Sequence, residues 1–153
     1  MDFEVRMWQF PSVWDPSFLY VFKAGKSGWS LYHYEYYTYQ RRPGKKYREG
    51  PVVDSVVMES LSPQHGRTWE RYISELGLDS LWFINSESQI LKREFNIIDG
   101  SRNLIEIRDG EQYRYIFQTT PYYFADKDED HARSWRFHER LKRPVIYDGM
   151  RNP

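Results

Sequence analysis

The segment from Asn103 to Gln118 limits the possible fold more strongly than any other part of the sequence. It contains two runs in which apolar and polar residues alternate, and Asp109-Gly110 stands between them. Asp-Gly between two such runs is among the strongest short-range signals of a β-hairpin, because glycine takes the positive φ that a tight reversal needs. We therefore predict an antiparallel hairpin that turns at Asp109-Gly110.

The length of the loop decides which side chains of this hairpin share a face. A two-residue turn would pair Ile107 with Gln112 and would mix apolar and charged residues on both faces. A three-residue loop that starts at Arg108 and ends in a G1 bulge would instead pair Ile105 with Tyr113. Because a shift of one residue inverts every side chain, the hydrophobic pattern favours the bulged form, with one buried and one wet face. The predicted buried face carries Ile105, Ile107, Tyr113, Tyr115 and Phe117, and the wet face carries Glu106, Gln112 and Arg114.

Composition narrows the class of protein. A chain of 153 residues fits a single domain, residues 1–153, and the absence of cysteine excludes disulfides, thiolate metal sites and cysteine nucleophiles. The acidic, alternating N-terminus differs from a signal peptide, and no stretch approaches the roughly 20 apolar residues of a membrane span. We therefore expect a cytoplasmic protein with no membrane partner. Lys plus Arg and Asp plus Glu number 22 each, which argues against a general nucleic-acid binder.

Four segments in the first half of the chain have the composition of strands. Residues 3–10 alternate imperfectly, and Phe18 to Ala24 is apolar on both parities, as in a central strand. Trp29 to Gln40 follows a turn at Gly25 to Gly28, and Val52 to Leu61 is rich in valine. Together these segments predict an N-terminal antiparallel meander.

A first helix is predicted to begin at Ser62-Pro63, because serine suits the N-cap and proline suits the first helical position. An apolar stripe at helical spacing follows, and Gly77 fits the left-handed position after the last turn. The stripe consists of Trp69, Tyr72, Ile73 and Leu76.

A second helix is predicted after Pro121. Acidic residues lie near its start and basic residues near its end, which is the arrangement that the helix dipole favours. These elements predict an α+β fold: an antiparallel sheet formed by the N-terminal meander and the C-terminal hairpin, with two helices packed on one face.

The sequence contains no complete signature of a catalytic or metal site. Asp126, Asp128 and Asp130 match the opening of a calcium loop, but His131 replaces the required glycine and Phe137 replaces the bidentate glutamate. The four histidines lack the spacing of zinc sites, and there is no G-x-S-x-G elbow or glycine-rich phosphate loop. We therefore expect a non-enzymatic protein with no metal and no cofactor. A site assembled from dispersed carboxylates and histidines is the enzymatic alternative.

Two segments are candidates for binding a partner. The first is a tyrosine-rich strand with the basic loop that follows it, and the second is an acidic cluster. Tyrosine and arginine are frequent anchors of protein interfaces, although stacking rings beside basic residues are also typical of single-stranded nucleic-acid platforms. The acidic cluster would suit a partner with a basic cleft. The first candidate comprises Tyr32, Tyr34, Tyr36, Arg41, Arg42, Lys45 and Lys46, and the second comprises Asp126, Asp128, Glu129 and Asp130.

The stretch from Trp69 to Phe124 resembles a loose group of small bacterial α+β domains. The resemblance rests on the W-E-R-Y-I-S-E-L helix, Leu81-Trp82, Asp99-Gly100 and the L-I-E-I strand at Leu104 to Ile107. Small proteins of this kind look like the immunity proteins that bind and neutralise interbacterial toxins. The resemblance implies a cognate protein toxin as the partner and carries over no catalytic residue. A nucleic-acid or nucleotide-binding module is the alternative.

Overall fold

The part of the chain that the structure describes contains seven strands, three α-helices and two 3-10 helices. The computed structural model describes residues 3–11, 16–38, 53–63, 66–89, 100–142 and 145–147. The strands are β1 (Phe3–Pro11), β2 (Ser17–Gly25), β3 (Gly28–Thr38), β4 (Val53–Pro63), β5 (Ser101–Asp109), β6 (Gln112–Thr119) and β7 (Val145–Tyr147). The helices are α1 (Trp69–Leu76), α2 (Pro121–Phe124) and α3 (Glu129–Lys142), and two 3-10 helices cover Leu78–Phe83 and Glu87–Gln89.

All seven strands join one antiparallel sheet in the order β6-β5-β1-β2-β3-β4-β7. Strands β1 to β4 form the predicted meander, since each pairs with the next along the chain. Strand β1 also pairs with β5 through all nine of its residues, Phe3 to Pro11, which attaches the β5–β6 hairpin to the meander. The predicted α+β fold, with helices on one face of an antiparallel sheet, is confirmed.

The face of the sheet that the helices cover, which we call the inner face, forms the core. Val5 and Met7 of β1 pair with Ile107 and Ile105 of β5, and all four side chains are at most 1% exposed. Complete burial of such a side chain contributes roughly 1.5–3 kcal/mol relative to exposure. Residues of α1 and α3 pack against these strands in the same cluster. No helix in the described residues has both the length and the apolar character to cross a bilayer.

Helix α1 has the predicted apolar stripe but begins later than predicted. Ser62 and Pro63 continue β4, because they pair with β7 near the other end of the chain. The N-cap is Thr68, whose hydroxyl accepts a 3.4 Å hydrogen bond from the Arg71 N–H. The predicted end is correct, since Gly77 takes the left-handed conformation at φ 67°.

The hairpin of β5 and β6 is present, but the predicted bulged register is wrong. Asp109 pairs with Gln112, so the loop has two residues and begins at Gly110, which has φ 57°. This is the first central position, where a type II′ turn takes glycine. The prediction failed because it placed all apolar residues on the covered face, whereas the opposite face is also rich in aromatic side chains. The residues placed on that opposite face include Leu104, Glu106, Tyr113, Tyr115 and Phe117.

Candidate protein-binding surface

The face of the sheet opposite the helices, which we call the outer face, carries an unbroken line of apolar side chains across six strands. Residues directly opposite each other in neighbouring strands lie on the same face, so the strand register defines the line. We call this line the apolar row. It consists of Phe117, Leu104, Trp8, Leu19, Tyr34 and Met58, in the order β6-β5-β1-β2-β3-β4.

The ends of the apolar row are open to solvent. Met58 is 57% exposed and Phe117 is 38% exposed, and Tyr115 beside Phe117 is 59% exposed. Leu19, at the middle of the row, is only 5% exposed. Exposed apolar side chains thus lie at both ends of the row, on β4 and on β6. Exposed apolar patches of this kind mark places where another molecule binds.

Aromatic rings in and beside the row contact one another. The Trp8 ring lies parallel to that of Phe10 at a centroid distance of 5.9 Å and lies 5.8 Å from that of Tyr36. The Tyr34 and Tyr36 rings are stacked at 6.2 Å. Such contacts add about 0.5–1.5 kcal/mol per pair beyond burial and limit the ring orientations. The outer face is therefore a largely preformed surface.

Glu106 holds the rings of Trp8 and Tyr113 through hydrogen bonds. Its carboxylate accepts one from Trp8 Nε1 at 2.7 Å and one from the Tyr113 hydroxyl at 2.8 Å. The second bond raises the pKa of Tyr113, because ionisation of the phenol would remove the donated proton. Preorganised side chains lose little conformational entropy when a partner binds.

Charged side chains of both signs line a small pocket next to Tyr113. Arg6 Nε lies 2.6 Å from a carboxylate oxygen of Glu4, and both residues line the pocket together with Glu106, Ile107 and Arg108. The pocket has a volume of about 310 Å³. Charges of both signs at its wall can orient a polar side chain of a partner, while the apolar row supplies contact area.

The first predicted binding surface is only partly within the described residues. Tyr32, Tyr34 and Tyr36 lie on the outer face in β3, as their shared parity predicts, and Lys23 Nζ lies 5.2 Å from the ring centroid of Tyr32. The predicted basic residues lie outside the described part of the chain. These are Arg41, Arg42, Lys45 and Lys46.

The second predicted surface, the acidic cluster, lies at the start of α3 on the helix side of the sheet, and its members bond within the protein. Asp128 Oδ1 accepts from the His131 N–H at 2.9 Å and lies 2.7 Å from His131 Nδ1. Burial opposes ionisation of Asp128, but these bonds outweigh it and lower its pKa. Glu129 accepts from Arg133 and Arg136, and Asp130 accepts from Asn85. Asp128 thus caps α3, Glu129 and Asp130 at the start of the helix bond to other side chains, and Asp126 is exposed.

The three described histidines are buried on the helix side of the sheet. His33 stacks with Tyr20 at 4.6 Å, and burial lowers its pKa although Glu59 is nearby. Burial and the charge of Lys142 lower the pKa of His138 to about 3. In the described ranges, no group of three or more histidine, aspartate or glutamate side chains is placed to hold a metal ion. His65 lies outside those ranges.

Comparisons with known proteins add no relative. No protein-family model, curated protein or solved structure matches the chain. The resemblance to toxin-immunity domains therefore stays a prediction.

Several residues of the outer face were not identified from the sequence. Trp8, Leu104 and Phe117 are far from Tyr34 in the chain, and only the pairing of β1 with β2 and β5 brings them into one row. One local signal was available: Trp8 shares its parity with Glu4 and Arg6, and this parity is opposite to that of Val5 and Met7. That alternation places Trp8 on a face shared with charged residues.

Proposed function

We propose that this protein is a non-enzymatic protein-binding module that docks a partner protein on its outer face. The observation that carries the proposal is the apolar row, which crosses six strands and includes Trp8, Tyr34 and Met58. Tryptophan, tyrosine and methionine are enriched in the central part of protein interfaces. Stacked rings and charged side chains beside the row are further properties of such surfaces.

The composition of the row favours a protein partner over a nucleic acid. Nucleic-acid platforms depend on rings that stack against bases, but Leu104, Leu19 and Met58 offer no ring. The carboxylate of Glu106 lies beside Trp8 and would repel phosphates. The whole chain also has zero formal net charge, which removes the long-range attraction on which nucleic-acid binders rely.

We further propose that the partner is a bacterial toxin and that this protein is its immunity protein, acting in the cytoplasm. The resemblance of residues 69–124 to immunity domains supports this assignment, together with a ready-made docking surface on a small chain. Binding across the outer face would occlude the toxin without any reaction at this protein. No residue is assigned a catalytic role.

Co-purification with the product of the neighbouring gene tests the proposal. We expect a complex with wild-type protein, and at least a tenfold lower affinity when Phe117 or Tyr115 is replaced by lysine, because truncation at an interface anchor costs about 2 kcal/mol or more. The matched control is Tyr122→Lys, since Tyr122 is 50% exposed and lies in α2 on the helix side. In cells that express the neighbouring gene, wild type and Tyr122→Lys should support growth better than Phe117→Lys and Tyr115→Lys.

Two outcomes would contradict the proposal. One is the absence of any complex with the neighbouring gene product in wild-type protein. The other is a complex that tolerates Phe117→Lys and Tyr115→Lys but fails with Tyr122→Lys. A fluorescence anisotropy titration with single-stranded oligonucleotides covers the alternative: tight binding that weakens steeply with salt would assign the outer face to nucleic acid.

A further inference from the structure

The two edges of the sheet differ in how far they are closed. At the β6 edge, Ser86 Oγ accepts from the Phe117 N–H at 3.1 Å, and Glu87 accepts from the Thr119 N–H at 2.7 Å. The side chain of Arg114 also donates to the carbonyls of Trp82 and Ile84. Side chains near the 3-10 helices therefore occupy backbone N–H groups of β6 that an added strand would need. Covering an edge in this way is a common means of blocking it.

The opposite edge is open along part of β4. Strand β7 pairs only with Leu61 to Pro63, and within the described residues no strand pairs with Ser55 to Ser60 on the side away from β3. Val56, Val57 and Met58 are 49%, 46% and 57% exposed. Because consecutive strand residues point to opposite faces, this stretch is about half exposed on both faces. An apolar edge of this kind is a template for another strand.

We propose that the β4 edge pairs with the β4 edge of a second copy of this chain, in antiparallel orientation about a two-fold axis at Val57. The stretch Ser55-Val56-Val57-Met58-Glu59 is almost a chemical palindrome, since polar residues flank three apolar ones. A two-fold interface brings the same surface of both copies together, so it requires this self-complementarity.

The register follows from the two-fold axis and the pairs that it creates. An axis perpendicular to the sheet keeps both outer faces on one side, so residues that lie opposite each other must share parity. Centring the axis on Val57 places Val57 opposite its own copy, and Val56 opposite Met58. Ser55 then lies opposite Glu59, so no like charges meet.

Neighbouring registers fit less well. Centring on Met58 would place Ser55 opposite Leu61, which already pairs with Tyr147 of β7. Centring on Val56 would place Val57 opposite Ser55 and lose an apolar pair. The Val57 register therefore uses the open stretch and leaves β7 in position.

Such a dimer would extend the function of the outer face. The sheets of the two copies would be continuous, and their apolar rows would lie on the same side. Val57 points to the inner side, because it pairs with Glu35 and not with a residue of the apolar row. Substitutions at Val57 can thus separate self-association from partner binding.

Sedimentation velocity over a range of protein concentrations tests the proposal with the full chain. We expect wild type to approach twice the 18.7 kDa mass of one chain as concentration rises. Val57→Lys and Val57→Glu should each raise the dissociation constant at least tenfold, because like charges meet at the axis. The matched control is Phe83→Lys, since Phe83 is 73% exposed and lies in a 3-10 helix away from β4.

Mixing the two variants separates pairing from a folding defect. Equal amounts of Val57→Lys and Val57→Glu should form a one-to-one heterodimer, because opposite charges then face each other. A wild type that stays at 18.7 kDa at the highest concentration would overturn the proposal. The same holds if the single variants dimerise like wild type, or if the mixture does not associate.

Discussion

The inner and outer faces of the sheet contain similar side chains but differ in what covers them. On β6, Ile116 is 1% exposed, whereas the adjacent Tyr115, which points to the other face, is 59% exposed. On β1, Met7 lies in the core and Trp8 lies in the apolar row. Helices α1 and α3 pack on the inner face. The contrast shows what apolar patterning along a strand can reveal. The pattern indicates a contact surface, but it does not say whether the protein's own helices or a partner protein covers that surface.

The charges on the two faces also differ. The inner face buries histidines whose pKa values are lowered, so they are neutral near pH 7. The outer face carries a solvent-accessible pair of opposite charges, Arg6 with Glu4, at the border of the apolar row. Neutral polar groups are compatible with a permanently dry interior, whereas paired surface charges suit an interface that forms and separates.

Substitutions at neighbouring residues of β6 should show the largest difference between the two faces in their effect on the free energy of unfolding. We expect Ile116→Ala to lower the free energy of unfolding by about 2–5 kcal/mol, because it leaves a cavity in the core. Tyr115→Thr keeps a residue that favours strands and should change it by no more than about 0.5 kcal/mol. Urea denaturation followed by circular dichroism measures both. Equal losses for the two variants would mean that Tyr115 is also a core residue.

The buried histidine of α3 should make stability depend on pH. His138 has a pKa of about 3 in the folded protein, where its Nε2 is 3.2 Å from Gln9 Oε1. The unfolded chain binds the proton at an ordinary pKa near 6.5, so the stabilisation is complete above that pH and is lost as pH falls towards 3. Between pH 6.5 and 4.5 the expected loss is roughly 2 kcal/mol.

The variant His138→Gln isolates this contribution. It should be less stable at pH 7 but should lose roughly 2 kcal/mol less than wild type between pH 6.5 and 4.5. Urea midpoints at several pH values provide the measurement, and the other titrating groups are common to both proteins. Parallel pH profiles for the two proteins would mean that the pKa of His138 is the same in the folded and unfolded states, which would contradict the lowered value.

A smaller effect is expected at the acidic cluster. Asp128→Ala removes the side-chain cap of α3 and should cost about 1 kcal/mol, within the usual range for N-caps. Partner affinity should stay unchanged, because the cluster lies on the helix side. Thermal unfolding and a binding titration with the neighbouring gene product measure the two quantities. A tenfold loss of affinity with unchanged stability would identify the cluster as a docking surface after all.

The parts of the fold that could be predicted from sequence are those set by local interactions. The stripe containing Trp69 and Leu76, the end of α1 at Gly77 and the presence of the β5–β6 hairpin depend on residues that are close in sequence. The start of α1 was misplaced because β7, about 80 residues later in the chain, pairs with Ser62 and holds it in a strand.

The candidate site was predicted less completely for the same physical reason. The parity of Tyr32, Tyr34 and Tyr36 identified one strand of the outer face. The remaining strands could not be assigned, because strand order depends on long-range pairing. The hairpin register was also wrong, since the choice between registers assumed that rings such as Tyr115 seek the core. Rings that are kept for a partner violate that assumption.

Oxidative footprinting of aromatic residues in the complex with the neighbouring gene product tests the central claim most directly. Exposed rings lie on both sides of the sheet, so each experiment contains its own control. We expect slower oxidation of Tyr113, Tyr115 and Phe117 on the outer face when the partner is bound, and unchanged oxidation of Tyr122 and Tyr123 in α2. Protection of Tyr122 and Tyr123, with the outer-face rings oxidised as in the free protein, would contradict the account.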